Sequence, residues 1–295
     1  MVPAPPRNGD SLRIALQASG RLSRHSVDLL LGVGLEFEDE ERRLFTRCRN
    51  ADVEVLFVRD DDIPEYVSDG VADLGIAGRN VVLEKEAEVE VLAPLGFGMC
   101  TLALAVPTAD AARRPEDLDG RRIATTHPRS LRRFLAERGI GAEVIELRGA
   151  AEIAPALDVA DAICDLVSTG TTLRMNDLRR IGDVFESEAC LLGNPAALAE
   201  PARRARIGRL RVRVDGLLTA RRLKYVTLNA PAAALPRVRE ILPGMRSPTV
   251  IPLADPGMVA IHAAVEEDVF WEAMERLKEA GGSDILVLPV EKVMR

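Results

Sequence analysis

Short apolar runs alternate with amphipathic stretches through the first two thirds of the chain. Four early runs have the length and β-branched content of strands: LRIALQ, VEVLFV, DLGIA and VEVLAPL. A second series has the strand-like runs CTLALAVP, RRIATT, AEVIEL and AICDLV, and the helical stretches PRSLRRFLAERG and TLRMNDLRRIG. This alternation is typical of open α/β layers, in which helices cover the faces of a sheet. The pattern therefore predicts an α/β fold.

The apolar run EACLLG follows the second series and precedes the helical stretch PAALAEPARRARIGRL. A chain that leaves one set of strands and later returns to it predicts two lobes joined by paired crossovers. We place these crossovers near 100–106 and 187–194. Lobe I then comprises 1–104 with a return at 190–219, and lobe II comprises 105–189. This bilobal core resembles that of periplasmic binding proteins.

The segment 220–295 has a different order of elements. The runs RLKYVTLNA, PTVIPLA, MVAIHAAV and DILVLPV predict strands, and AALPRVREIL and DVFWEAMERLKEAG predict helices. Their order along the chain is βαββαβ, which is the order of the ferredoxin-like split unit. We therefore expect a separate ferredoxin-like domain of the kind found in small regulatory domains.

The composition excludes several classes of partner. The formal net charge is −7 and aromatic residues make up 3% of the chain, whereas a nucleic-acid surface needs basic and stacking groups. No apolar run approaches the length that spans a bilayer, and the start MVPAPPRNGD lacks the regions of a signal peptide. The sequence therefore predicts a cytoplasmic protein that binds neither nucleic acid nor membranes.

Neither the cysteines nor the acidic residues form a pattern typical of a metal site. The four cysteines are widely separated, which predicts reduced thiols. Three adjacent aspartates at 60–62 cannot all face one ion, and aspartate is an ordinary residue at the start of a helix. We therefore predict no metal site built by the protein alone.

A glycine loop follows the strand AICDLV. Gly170 permits positive φ and the close approach of a ligand, and the N–H groups of the next helix converge on this loop. Hydroxyl side chains surround the glycine: Ser168, Thr169, Thr171 and Thr172. Asp165 would repel a bare anion but can accept hydrogen bonds from ribose hydroxyls. The pattern favours a sugar phosphate, although an ordinary strand-to-helix turn rich in Ser and Thr would have the same composition.

The run DLVSTGTTL resembles the phosphoribosyl-diphosphate (PRPP) loop of phosphoribosyltransferases, and its flanks ADAICDLVSTG and RGAAEIAP resemble ATP phosphoribosyltransferases. Four further segments fall in the order of that family: LRIALQASGRLS, VRDDDIPEYVSDGVADLGIAGRN, RRIATTHP and SPTVIPLADPGMVAIH. The resemblance covers residues 12–291 and includes the tail of the family's long, self-regulated form.

The resemblance implies that ATP and PRPP are the substrates. N1 of the ATP adenine would be joined to C1 of PRPP with release of diphosphate, as the first step of histidine biosynthesis. The residues agree, because no spacing supports a Ser/His/Asp or Cys/His nucleophile. Catalysis would depend on holding the reactants in line, with Mg²⁺ arriving on the substrates.

The resemblance also implies roles for individual residues of the sugar site. Asp165 would contact the ribose hydroxyls, and residues 168–172 would hold the 5-phosphate. Glu152 would lie across the same ribose and favour positive charge at C1. Without the resemblance, the position of Glu152 favours a charge at the start of a helix that complements the helix dipole.

On the nucleotide side, the resemblance assigns Arg21 of SGRL. Asp73 and Gly78 flank the strand of DLGIAG, and the end of a strand at a glycine turn is a usual place for a ligand. The chain departs from the family at Ala18 and Ser19, where a lysine is common. Arg21 or another basic residue would then have to supply the missing charge.

The long form further implies feedback inhibition by histidine and a homo-oligomer, either a dimer or a hexamer built from dimers. We place the histidine site within the C-terminal domain at four residues: Asn229, Met245, Ser247 and Thr249.

Two alternatives to this enzyme stay open. A non-catalytic bilobal protein could bind small molecules, although the Asp165 loop and the missing export signal count against that reading. A catalytically weak regulatory homologue is the second alternative, because the chain has Ala18 and Ser19 in place of the usual lysine.

Overall fold

A computed structural model describes residues 11–38, 44–242 and 247–294 of the chain. Contacts between residues divide the chain into two units, 1–207 and 208–295. The strands of the first unit form two separate sheets, one for each predicted lobe.

The lobe I sheet has six strands with parallel pairing at its centre. Their order is β2 (Phe45–Arg47), β3 (Val53–Val58), β1 (Leu12–Gln17), β4 (Leu74–Gly78), β11 (Ala189–Gly193) and β5 (Glu90–Pro94). Four helices accompany these strands: α1 (Ser23–Gly32), α2 (Ile63–Ser68), α3 (Arg79–Lys85) and α6 (Pro195–Ala199). The central strands are apolar at successive positions because both faces of the sheet are covered, and Ile14 and Leu74 have no exposed surface.

The lobe II sheet has five strands and a second core. Their order is β10 (Leu178–Ser187), β6 (Cys100–Pro107), β9 (Ala162–Val167), β7 (Arg122–Thr125) and β8 (Glu143–Glu146). Two helices belong to this lobe: α4 (Pro128–Arg138) and α5 (Thr171–Met175). Leu102, Leu104 and Leu131 are fully buried in its core.

The chain crosses between the lobes twice, which confirms the predicted bilobal core. The outward crossing is 95–99, between β5 and β6, and the return is at Glu188, between β10 and β11. The outward crossing therefore lies before 100–106, where the sequence placed it. The reason is that CTLALAVP pairs along its whole length with lobe II strands.

One predicted helix is wrong over most of its length. TLRMNDLRRIG is helical only in α5, and β10 begins at Leu178. Eight of the ten residues of β10 pair antiparallel with β6, and the strand buries Leu178 and Ile181. This long-range pairing outweighs the local helical pattern, which is the usual limit of local propensity.

The second unit has the predicted βαββαβ order. Helix α7 (Pro201–Arg221) leads into it, and its elements are β12 (Leu223–Pro231), α8 (Leu235–Ile241), β13 (Thr249–Pro252), β14 (Met258–Glu266), α9 (Glu267–Glu279) and β15 (Ser283–Pro289). The sheet order is β13-β14-β12-β15, and all its pairings are antiparallel. The core contains Leu228, Ile261 and Leu277.

Candidate active site

Parallel strands of both lobes end at a common cleft. Strands β1, β3 and β4 run parallel in lobe I, and β7, β8 and β9 run parallel in lobe II. Residues that follow the carboxyl ends of such strands lie at the edge where open α/β sheets bind ligands. The amide of Asn80 from lobe I lies 3.1 Å from the ring of His127 from lobe II, so the two edges meet.

The predicted phosphate loop is built around a left-handed glycine. Gly170 has a φ of 71° and directly precedes α5. The hydroxyl oxygens of Thr169 and Thr171 lie 3.0 Å apart on either side of it. A cavity of about 90 Å³ opens here, lined by Glu152, Ile163 and residues 165–173. The structure thus brings Glu152 and all the predicted loop residues to one cavity.

Arg174 adds a positive charge that the sequence analysis did not include. Its Nη2 donates to the hydroxyl of Thr171 at 3.2 Å, and its Nη1 lies 3.5 Å from the carbonyl oxygen of Thr169. The guanidinium therefore lies over the loop. Because α5 has only five residues, its dipole is small, and a direct cation is the stronger source of charge for an anion.

The pKa of the Asp165 carboxyl is shifted by opposing effects of its surroundings. Burial raises its pKa, and the nearby charge of Glu152 raises it further. The N–H of Leu166, which donates at 2.8 Å, lowers the pKa, as does the side chain of Thr126. A ligand that donates hydrogen bonds to Asp165 would relieve the cost of burying this charge.

On the other edge, Arg21 is exposed just before α1. Its Nη1 donates to the carbonyl oxygen of Gly98 in the outward crossing. Burial raises the pKa of Asp60, the charge of Asp61 raises it further, and Arg21 lowers it. Asp60 Oδ1 has no hydrogen-bond partner within the described part of the chain. At the predicted nucleotide edge, Arg21 therefore lies close enough to Asp60 to favour its ionised form.

The structure does not bring Asp73 and Gly78 together. Gly78 ends β4 at the cleft, where a Cβ would collide with the side chain of Asn80. Asp73 lies at the opposite end of β4 with 1% exposure, and its carboxylate accepts from the N–H of Arg13 at 2.8 Å and from Arg203 at 2.7 Å. Asp73 is engaged in structural bonds away from the cleft because it precedes the strand rather than follows it.

Asp73 also borders an open cavity of about 610 Å³ with Asn194, Glu200 and Arg203. This cavity is much larger than the one at Gly170. It lies at the amino end of β4, however, and ligands of open α/β sheets bind at the carboxyl ends.

The predicted histidine site is only partly assembled in the second unit. Asn229 of β12 and Thr249 of β13 point to the open face of the sheet, but β14 separates them. The Asn229 amide donates to Asp284 at 3.0 Å. Ser247 is exposed. Met245 lies outside the described residues.

Residues 11–38, 44–242 and 247–294 contain no group of three or more His, Cys, Asp or Glu side chains arranged to hold a metal, and no helix suited to crossing a bilayer. All four cysteines are free thiols: Cys48, Cys100, Cys164 and Cys190.

Comparison with known proteins gives the family. Residues 59–216 match the family ATP phosphoribosyltransferase, and residues 220–292 match the family HisG, C-terminal domain. The chain belongs to the ATP phosphoribosyltransferase family, in its long form. The ATP phosphoribosyltransferase of Cytophaga hutchinsonii is 45% identical over 284 residues, which are 96% of this chain and 99% of that protein.

A solved structure supports the same assignment for the catalytic part. The ATP phosphoribosyl transferase (HisG:HisZ) complex from Thermotoga maritima contains a chain that is 28% identical, with a TM-score of 0.60. The likeness covers 69% of this chain and 98% of that chain. As a member of this ATP phosphoribosyltransferase family, the chain is a transferase of the phosphoribosyltransferase class.

Proposed function

We propose that the chain joins N1 of the ATP adenine to C1 of PRPP and releases diphosphate, as the first step of histidine biosynthesis. The observation that carries the proposal is the cavity at Gly170, which is lined by the loop hydroxyls and by Asp165 and Glu152, with Arg174 bonded to Thr171 beside it. This arrangement suits a ligand with a phosphate at one end and sugar hydroxyls at the other.

The loop would hold the 5-phosphate of PRPP. Its positive φ at Gly170 lets the anion approach the backbone, Thr169 and Thr171 offer hydroxyl donors, and Arg174 neutralises charge. Ser168 and Thr172 line the same cavity. The anion thus has both donors and a cation on this side.

Asp165 and Glu152 would accept hydrogen bonds from the ribose hydroxyls. As diphosphate leaves, positive charge develops on the sugar near C1, and two nearby carboxylates stabilise that charge. No covalent intermediate with the protein is needed, because adenine N1 is itself the nucleophile. The main contributions of the protein are orientation of both substrates and electrostatic stabilisation.

Mg²⁺ would enter as part of the PRPP complex. The oxygen donors of Asp165 and Glu152 suit this ion, which keeps several waters and binds substrate phosphates with one or two carboxylates. When bound, Mg²⁺ neutralises charge on the departing diphosphate.

ATP would bind from the lobe I edge, with Arg21 as its nearest predicted cation. Ala18 and Ser19 are exposed beside it and supply no charge. The bond from Arg21 to Gly98 holds the guanidinium near the crossing between the lobes. Gly78 contributes to this edge because a residue without a Cβ leaves space for the Asn80 side chain. Asp73 has no part in this site.

Histidine is proposed as a feedback inhibitor that acts through the second unit, in a homo-oligomer. The match of residues 220–292 to the C-terminal domain of the family supports this proposal. Ser247→Ala with Thr249→Ala should reduce inhibition and leave the uninhibited rate unchanged. Full histidine sensitivity in this double variant would rule out these two residues. A dimer or hexamer and a cytoplasmic location stay predictions.

Calorimetric titration with PRPP and Mg²⁺ tests the sugar site directly. Asp165→Asn should weaken PRPP binding by roughly tenfold or more, because a charge-assisted acceptor becomes a neutral one. Asp183→Asn makes the same chemical change at an exposed position of β10, paired with Arg180, and should bind normally. Equal affinity in both variants would contradict the site. A wild-type protein that binds PRPP but forms no product would favour a non-catalytic homologue.

A further inference from the structure

Four polar side chains form a continuous path from the return crossing to Asp165. Ser187 ends β10, just before the crossing, and its Oγ lies 3.0 Å from Asn80 Oδ1. Asn80 Nδ2 lies 3.1 Å from His127 Nε2. His127 Nδ1 lies 2.9 Å from Thr126 Oγ1. The path begins at the end of β10 in lobe II, passes through Asn80 of lobe I and returns to lobe II at His127.

Thr126 connects this path to the sugar site. Strands β7 and β9 pair in parallel, with Thr125 opposite Cys164, so Thr126, directly after β7, lies beside Asp165 within β9. From this position the side chain of Thr126 lowers the pKa of Asp165 and so favours its ionised form. The Thr126 hydroxyl is therefore the last donor in the path.

The donors and acceptors allow one consistent direction. Ser187 Oγ accepts from the backbone N–H of Asn80 at 2.9 Å, which leaves its own proton to donate to Asn80 Oδ1. The Asn80 amide is thereby oriented with its NH₂ group toward His127. His127 Nε2 must then accept, and Nδ1 must carry the proton that is donated to Thr126. The ring is neutral in this arrangement.

Neighbouring contacts hold the same two elements together. The carboxylate of Glu84 in α3 accepts from the backbone N–H groups of Arg129 and Ser130, both at 2.9 Å. Glu84 of lobe I therefore caps the first turn of α4 in lobe II, which starts directly after His127. Gly78 leaves the space that the Asn80 side chain occupies.

We infer that Asn80 and His127 are positioning residues, which fix the orientation of Asp165 toward the ribose only when the two lobes are in contact. The inference rests on the proposed function, in which Asp165 binds PRPP. Neither residue reaches the cavity at Gly170, so neither is a catalytic residue. Contact between the lobes would thus also orient the Asp165 carboxylate toward the ribose.

Steady-state kinetics of His127 variants test this role. His127→Phe keeps a ring but removes both hydrogen bonds, and should raise KM for PRPP roughly tenfold, with a smaller change in KM for ATP. His127→Gln keeps one donor and one acceptor and should recover most of the loss. His25→Gln, the same change at an exposed histidine of α1, should match the wild type. An unchanged KM for PRPP in folded His127→Phe would overturn the inference.

A double-mutant cycle tests whether Asn80 and His127 act as one path. Asn80→Ala should impair PRPP binding in the same direction as His127→Phe, and the double variant should lose little more than the worse single variant. Additive losses in the double variant would show two independent effects and overturn the shared path.

The tautomer of His127 gives a readout that needs no substrate. Protein labelled with ¹⁵N-histidine has three histidines, and the His127 signals are those lost in His127→Gln. Long-range ¹H–¹⁵N spectra at neutral pH should show the Nδ1–H tautomer. An Nε2–H tautomer or an imidazolium would overturn the inference. Wild-type protein without any PRPP binding would instead refute the proposed function, whatever the tautomer.

Discussion

Asn80 Nδ2 of one lobe donates to His127 Nε2 of the other across 3.1 Å. The ring is 9% exposed, and burial lowers its pKa against the raising effects of Glu84, Asp165 and Asp61. The bond needs an unprotonated Nε2, because a proton there would face the Asn80 amide protons. This hydrogen bond between the lobes therefore requires a neutral His127.

The protonation of His127 predicts how stability depends on pH. The unfolded chain protonates this histidine below about pH 6.5, whereas the folded protein resists protonation to a lower pH. The unfolded state then binds more protons, so this contribution to stability is complete above about pH 6.5 and is lost as pH falls below it. Denaturant unfolding from about pH 5 to 8 should show a weaker pH dependence in His127→Gln. Parallel curves for the two proteins would contradict a buried neutral ring.

Gly170→Ala should destabilise the protein by about 1 kcal/mol and weaken PRPP binding, because alanine is strained at positive φ. The added Cβ would lie 3.6 Å from Arg174 Nη1, an ordinary contact, so backbone strain rather than collision is the cause. Gly208→Ala in α7 is the matched control, since a Cβ there meets nothing within 4 Å. The control should be stabilised by roughly 0.5–1 kcal/mol. Thermal unfolding and PRPP titration compare the two, and equal stability changes would refute the argument.

Arg174→Gln should lower PRPP affinity by about tenfold or more, because a guanidinium over the loop is replaced by a neutral amide. Since the side chain is exposed, the fold should be unaffected. Arg180→Gln removes the same charge from β10, where its partner is Asp183, and serves as the control. Salt screens the guanidinium charge, so a higher salt concentration should reduce the difference in PRPP affinity between the wild type and Arg174→Gln. Equal PRPP affinities of Arg174→Gln and Arg180→Gln would show that Arg174 does not contribute to PRPP binding.

Asp73→Asn should affect stability and leave catalysis unchanged. The carboxylate pairs with Arg203 at 2.7 Å and is 1% exposed, whereas Arg203 is 29% exposed. Loss of a partly buried pair should cost roughly 2 kcal/mol, less than a fully buried pair would. Denaturant midpoints report the stability change, and kinetics are measured on the folded variant. A raised KM for ATP with unchanged stability would contradict this structural role and show that Asp73 takes part in nucleotide binding.

Much of the fold could be predicted from the sequence because its strands are locally distinct. LRIALQ and AICDLV have the bounds of β1 and β9, and the βαββαβ order of the second unit is confirmed. The strand β10 was missed because LRRIGDVFES has no clear alternation, and β6 supplies the hydrogen bonds that make it a strand. Pairing over that distance has no local signal.

The sugar site could be predicted better than the contacts that support it. Asp165 and Gly170 belong to one short motif, so sequence and structure place them together. Arg174 was missed although it lies three residues after Thr171, a spacing that places both on one side of a helical turn. Asn80 and His127 are 47 residues apart and have no shared pattern. Only the folded chain brings them into contact.

The most direct test of the central claim is product formation from ATP, PRPP and Mg²⁺, followed by the ultraviolet absorbance of the N1-ribosylated adenine. The wild-type protein should produce this absorbance change, with diphosphate released in equal amount. Asp165→Asn should reduce the rate strongly, and Asp183→Asn should not. No absorbance change with the wild type, under conditions in which PRPP is shown to bind, would contradict the account.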